Sequence, residues 1–272
     1  MNFIKKIENR MDKVNSLLCI GLDPVIEKIP KRFRDKQDSI FSFNRWIIDQ
    51  THEYVCSYKP NSAYYESNGA SGIKALKKTC DYIKKNYPDI PIILDAKRGD
   101  IDHSNNEYAK FAFKYLNADA ITLQPYLGNE ALSEFFKYID KGLIILCRTS
   151  NPGAGEFQDL IIDQYPLWQI IAREVSSNWE KQSKADLLLV VGATYPDELK
   201  IVRKIAPNTT FLVPGVGSQG GSLEKTLKYG CNKNGKGVII NSSRGIIYAQ
   251  NPNSAIKALW KSHLKYDWYK EV

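Results

Sequence analysis

Residues 92–101 read IILDAKRGDI, an apolar run that passes directly into Asp95, Lys97, Arg98 and Asp100. Charged groups are costly to take out of water unless they are paired. Such a cluster at the end of an apolar run is therefore a solvated turn or a working site. Asp95 and Lys97 are two positions apart, so an extended strand would point both to one face. Lys59, at the end of the stretch YKPN (58–61), can come alongside them. A Lys–Asp–Lys array keeps its charges in mutual contact and can hold one ammonium against a reacting carbon. A salt-bridged turn would use the same residue types, so the cluster needs support from elsewhere in the chain.

A second signal is PGVGSQGG (214–221), followed by the helix-like SLEKTLKYG. Glycine lets the main chain approach a ligand closely and turn its N–H groups toward it. A helix N-terminus favours anions. Arg244 ends another apolar run, and an arginine can grip a phosphate through two parallel hydrogen bonds. The glycines alone fit a plain turn, whereas glycines and Arg244 together favour phosphate. TSNPGAGEFQDL (149–160) is long and rich in Gly and Pro, which suits a mobile lid over a ligand as well as a variable surface loop. Asp23-Pro24 alone is ordinary turn chemistry. No H-x-x-x-H pairing, nucleophile elbow or metal-ligand spacing is present. His52 and His263 fall on helix-like segments and are expected at the surface. His103 lies beside the charged cluster and receives no role.

The charged, polar and glycine-rich candidates sit at the ends of short β-rich runs. The strand candidates are 16–22, 58–61, 91–96, 119–124, 142–147, 186–193, 209–214 and 237–242. Several are near-continuous Val/Ile/Leu, as in parallel strands buried on both faces. Amphipathic stretches alternate with them: 41–55, 71–85, 106–116, 166–182, 222–230 and 255–268. Residues 1–16 read as a first helix rather than a signal peptide. Eight β–α units in 272 residues predict an α/β fold of the (β/α)8 TIM-barrel type, a single domain spanning 1–272. A doubly wound open sheet is the runner-up. The absence of G-x-G-x-x-G after the first strand counts against a dinucleotide-binding version. In a barrel, active sites form at the C-terminal strand ends, with phosphate held after the seventh and eighth strands.

Composition sets the remaining bounds. Charged residues make up 25% of the chain and its formal net charge is +8. The lysines are spread over helix faces, as in ALKKTCDYIKK, which reads as solvated surface rather than a nucleic-acid patch. No apolar run is long enough to span a bilayer. The five cysteines are scattered and never form C-x-x-C, so reduced thiols in a cytoplasmic protein are expected.

Taken together, LDAKRGDI, Gly21-Leu22-Asp23-Pro24, Lys59-Pro60-Asn61, Ser150-Asn151-Pro152-Gly153, Pro214-Gly215-Val216-Gly217 and Arg244-Gly245 resemble the orotidine 5'-phosphate decarboxylase family, in its order and over nearly the whole chain. The resemblance implies decarboxylation of orotidine 5'-monophosphate to uridine 5'-monophosphate, the last step of pyrimidine nucleotide synthesis. It implies neither a metal nor an organic cofactor. Lys59, Asp95, Lys97 and Asp100 would form the charged catalytic network. Lys97 would stabilise the C6 carbanion and donate the replacing proton. Asp95, beside the substrate carboxylate, would disfavour the ground state. The resemblance also implies a homodimer with shared sites, in which Asp100 reaches the other subunit's ribose with Ser104 close by. Ser104 stands where a threonine is frequent. Asp23 would bind a ribose hydroxyl and Ser150 the pyrimidine edge. Gln219 and Arg244 would hold phosphate, with Pro214, Gly215 and Gly245 in the same ligand-binding set. The nearest rival shares the fold and the D-x-K-x-x-D motif: the magnesium-dependent 3-keto-gulonate-6-phosphate decarboxylase and hexulose-phosphate synthase group. It carries a metal-binding glutamate where this chain has Lys59. A second rival, a non-catalytic phosphate-binding barrel, predicts a broken charge network.

Overall fold

The computed structural model describes residues 1–217 and 220–266. Eight parallel strands form one sheet: β1 (Leu18–Leu22), β2 (Ser57–Pro60), β3 (Ile93–Arg98), β4 (Ala120–Leu123), β5 (Gly142–Arg148), β6 (Asp186–Val191), β7 (Phe211–Pro214) and β8 (Val238–Ser242). Each expected strand is present. Chain order is also neighbour order, and β1 pairs with both β2 and β8. Between β2 and β3 the ladder reduces to single bridges, Tyr58 with Ile92 and Asn61 with Asp95. Those bridges close the barrel along a sparsely bonded seam.

The strands are buried because their side chains are apolar on both faces. Leu143, Ile144 and Ile145 of β5 and Leu188, Leu189 and Val191 of β6 are almost completely enclosed. The β-branched isoleucines and valine among them pack well on a pleated surface and lower the preference for helix. The helices include α1 (Phe3–Val14), α2 (Ser39–Thr51), α3 (Gly69–Asn86), α4 (Asp102–Ala109), α5 (Leu167–Arg173), α6 (Pro196–Ile205), α7 (Leu223–Gly230) and α8 (Pro252–Leu264). Side-chain oxygens start several of them. Asn2 accepts the Lys5 N–H, Ser222 the Lys225 N–H and Asn251 the Ser254 N–H. The stretches read as 106–116 and 166–182 are α-helices that widen into π turns at Lys110–Tyr115 and Glu174–Trp179.

Helix α1 closes the N-terminal end of the barrel. Its Phe3 is fully buried, and the Phe3 ring occupies the space that a side chain at Gly142 would need. Asp186 accepts the Ile4 N–H at 2.9 Å and fastens the start of α1 to β6. The opposite end is left to the loops.

Two expectations about the surroundings change. His263 is buried rather than exposed, because the last turn of α8 packs inward. His52 is half-buried and stacks on Tyr87, with ring centroids 4.3 Å apart. The segment after β5 is not a bare loop. It holds a 3-10 turn at Pro152–Ala154, a helical turn at Gly155–Gln158 and a two-strand hairpin pairing Ile161–Ile162 with Tyr165–Pro166.

Candidate active site

A cleft of about 630 Å³ opens at the C-terminal strand ends, where barrel geometry predicts the site. Its floor is the charge cluster. Lys59 Nζ donates to Asp95 Oδ2 at 2.6 Å, and Lys97 Nζ donates to Asp95 Oδ1 at 2.6 Å. The side chains of Lys59 and Asp95 are 5% and 10% exposed, whereas that of Lys97 is 50% exposed. Lys97 is therefore the more accessible of the two ammonium groups on the cleft floor.

The array forms, but not by the route that strand periodicity implies. Lys97 is not extended: its φ is +46°. The β3–β4 register breaks between Leu94 and Arg98, which pair with Ile121 and Leu123. Three residues of β3, Asp95, Ala96 and Lys97, thus stand opposite one of β4, Thr122, a bulge that bends the strand and re-aims its side chains. Thr122 of β4 braces it. Its Oγ1 accepts the N–H groups of Ala96 and Lys97, each at 2.9 Å, and donates to Asp95 Oδ1 at 2.9 Å. Beyond the bulge, Gly99 lies so close to Gln124 that a Cβ there would fall 2.6 Å from the Gln124 amide nitrogen.

The electrostatics follow from this packing. Burial pushes the Asp95 carboxyl upward, but Lys59 and Lys97 outweigh it and hold the group well below the usual carboxylate range. Burial likewise disfavours the Lys59 ammonium, and Asp95 with Asp23 reverses that, so its pKa lies above the ordinary lysine value. Both groups stay charged across the physiological range.

The walls come from the other strand ends. Asp23, Ser150, Pro214, Gly215 and Arg244 all line the cleft. Gly215 has φ +97°, a conformation that side chains disfavour, and so lets the chain turn sharply past the site. Asp23 Oδ1 and Asn241 Oδ1 are buried with no hydrogen-bond partner among the described residues. Buried acceptors without donors are uncommon, and these two mark a place for ligand hydroxyl or amide groups. Arg244 is exposed at the mouth and begins the short helix Arg244–Ile247, with Gly245 beside it. The expected phosphate ligand Gln219 lies outside the described residues.

Asp100 and Ser104 do not join this cluster within the chain. Asp100 Oδ1 accepts the N–H of Ile101, and Asn105 accepts the Asp100 N–H. Ser104 is exposed on α4, as is His103. Neither Asp100 nor Ser104 lines the cleft. The segment after β5 stands at the rim and is tied down there. Gln158 bonds both the N–H and the hydroxyl of Thr149, and Asp159 pairs with Arg148 at 2.9 Å. Sequence reasoning gave no role to Thr122 or Asn241. Asn241 carried a signal, an amide at the end of the apolar run GVIIN. Thr122 carried none, because threonine is common in strands.

Comparison with known proteins agrees with this geometry. The sequence model of the orotidine 5'-phosphate decarboxylase / HUMPS family matches residues 16–259. An orotidine 5'-phosphate decarboxylase of Cellvibrio japonicus (strain Ueda107) is 46% identical over 260 residues, 95% of this chain and 94% of the relative. The structure of Leishmania donovani OMP decarboxylase superposes with a TM-score of 0.86 at 39% identity, covering 97% of this chain and 98% of that one. Leishmania donovani UMP synthase aligns with a TM-score of 0.88 at 40% identity over 97% of this chain, which spans 56% of that longer protein.

Proposed function

The chain belongs to the orotidine 5'-phosphate decarboxylase / HUMPS family, and from that premise we infer that its cleft converts orotidine 5'-monophosphate to uridine 5'-monophosphate and carbon dioxide. It is a carboxy-lyase of pyrimidine nucleotide synthesis. The observation that carries this reading over its family rival is the buried Lys59 ammonium, 2.6 Å from Asp95. A divalent cation beside Asp95 would be repelled by a fixed positive charge at that point.

The chemical problem is the electron pair left on C6 when the bond to the carboxylate breaks. Lys97, exposed to the cleft and anchored through Asp95, supplies positive charge where that pair develops. It then gives a proton to C6 and recovers one from solvent. Lys59 keeps Asp95 ionised and fixed in place, so no rearrangement of charges is needed during the reaction. Asp23 serves a ribose hydroxyl, which fits its orphaned buried oxygen. Ser150 reads the pyrimidine edge. Arg244 and Gln219 bind phosphate, with Pro214, Gly215 and Gly245 shaping that end.

Asp100 and Ser104 act in the neighbouring site of a homodimer. Their position outside the chain's own cleft, with Asp100 half-buried beside the bulge and Ser104 exposed on α4, supports that assignment. The deciding experiment follows the orotate chromophore at ultraviolet wavelengths after mixing purified protein with orotidine 5'-monophosphate, with and without EDTA. Loss of the chromophore in both samples is expected. A folded protein that leaves it intact returns the choice to the magnesium-dependent phosphosugar chemistry.

A further inference from the structure

A serine or threonine hydroxyl has one proton to donate and two lone pairs with which to accept. At Thr122 all three are committed. The lone pairs take the N–H groups of Ala96 and Lys97, and the proton goes to Asp95 Oδ1, each bond 2.9 Å long. The side chain is 1% exposed, so water cannot stand in for it. The same carboxylate oxygen receives the Lys97 ammonium. One hydroxyl therefore fixes both ends of the Lys97 side chain: the main chain from which it springs and the carboxylate on which its tip rests.

The need for such a brace lies in the bulge. Lys97 has a left-handed main chain at φ +46°, which a non-glycine residue keeps only when its surroundings impose it. The strand-to-strand ladder is interrupted there, so the N–H groups of Ala96 and Lys97 have no carbonyl partner on β4. We propose that Thr122 is the positioning residue that imposes this conformation and so aims Lys97 at the reacting carbon. The inference rests on the decarboxylase reading of the cleft.

A displacement of about 1 Å at a reacting group costs on the order of 10²-fold in rate. Thr122→Val, which keeps the shape and removes the hydroxyl, is expected to lower kcat for orotidine 5'-monophosphate by about that factor. KM should stay within about threefold, since uniform binding is untouched. Thr122→Ser should recover most of kcat. If Thr122→Val does not yield folded protein, Thr122→Ala is read the same way. A kcat within threefold of wild type, or an equal loss in Thr122→Ser, would overturn the assignment. Amide exchange gives an activity-independent readout: the Ala96 and Lys97 amides should exchange faster in Thr122→Val than in wild type or Thr122→Ser, and unchanged rates also overturn it. Wild-type protein that leaves the substrate intact would instead bring down the functional reading, and the exchange rates would still decide whether Thr122 holds the bulge.

Discussion

Lys97 and Arg244 divide two tasks that kinetics can separate. In the proposed reaction Lys97 meets the reacting carbon, so Lys97→Ala should remove both charge stabilisation and the proton donor. Each effect is worth roughly 10²-fold or more, and turnover should fall by at least about 10³-fold while circular dichroism stays native. Retained turnover would remove Lys97 from the mechanism. Arg244 lies at the exposed mouth, away from the buried charges. Loss of a charge-assisted hydrogen bond costs about 1.5–3 kcal/mol, so Arg244→Ala should raise KM by roughly 10- to 100-fold, and an unchanged KM would exclude it as the phosphate ligand. The Lys59–Asp95 pair that anchors Lys97 keeps its charges over a wide pH range. Asp95 is held low, so its stabilising contribution is present above about pH 4 and is lost only as pH falls through its depressed value. Lys59 is held high, so its contribution is present below about pH 10.5 and fades only as pH rises past its elevated value.

At the level of elements, the two ends of the barrel carry different burdens. Phe3 of α1 fills the N-terminal end, far from the cleft. Phe3→Ala should cost about 3–5 kcal/mol of stability in denaturant titration, with kcat preserved; a comparable loss of kcat would show that the two ends are coupled. Helix α8 brings a second test. Burial lowers the pKa of His263 to about 4. Because the unfolded chain takes up the proton first, stability should decline as pH falls from about 6.5 to 4, by on the order of 2–3 kcal/mol. His263→Leu should flatten that slope in a thermal-melt series, and an unaltered slope would place its cause elsewhere. The strands were legible in the sequence because short apolar runs such as GLIILC and DLLLVV alternate regularly with longer amphipathic stretches. His263 was not, since one apolar face of a short terminal helix does not show how closely it docks. The meeting of Lys59, Asp95 and Lys97 was legible as charge placed after apolar runs. The bulge that brings Lys97 to Asp95 was not, because a left-handed lysine has no local signature and depends on a hydroxyl 25 residues away.

For the whole molecule, the role proposed for Asp100 and Ser104 in a neighbouring site would make assembly part of the chemistry. Mixing inactive Lys97→Ala subunits with inactive Asp100→Ala subunits should restore activity in hybrid dimers that keep one complete site, and no recovery after verified subunit exchange would argue against shared sites. The net charge of +8 suits capture of an anionic nucleotide through the field around the open end. Closure of the barrel has its own consequence for this arrangement. β2 and β3 meet through single bridges, and the Lys59–Asp95 pair stands across that same gap. The ion pair is thus also a clasp on the line where the cylinder would first unzip. Random drift at either position would be punished twice, through lost turnover and through a looser wall, so these two residues should be the last in the cleft to tolerate exchange even in a descendant that had abandoned the reaction.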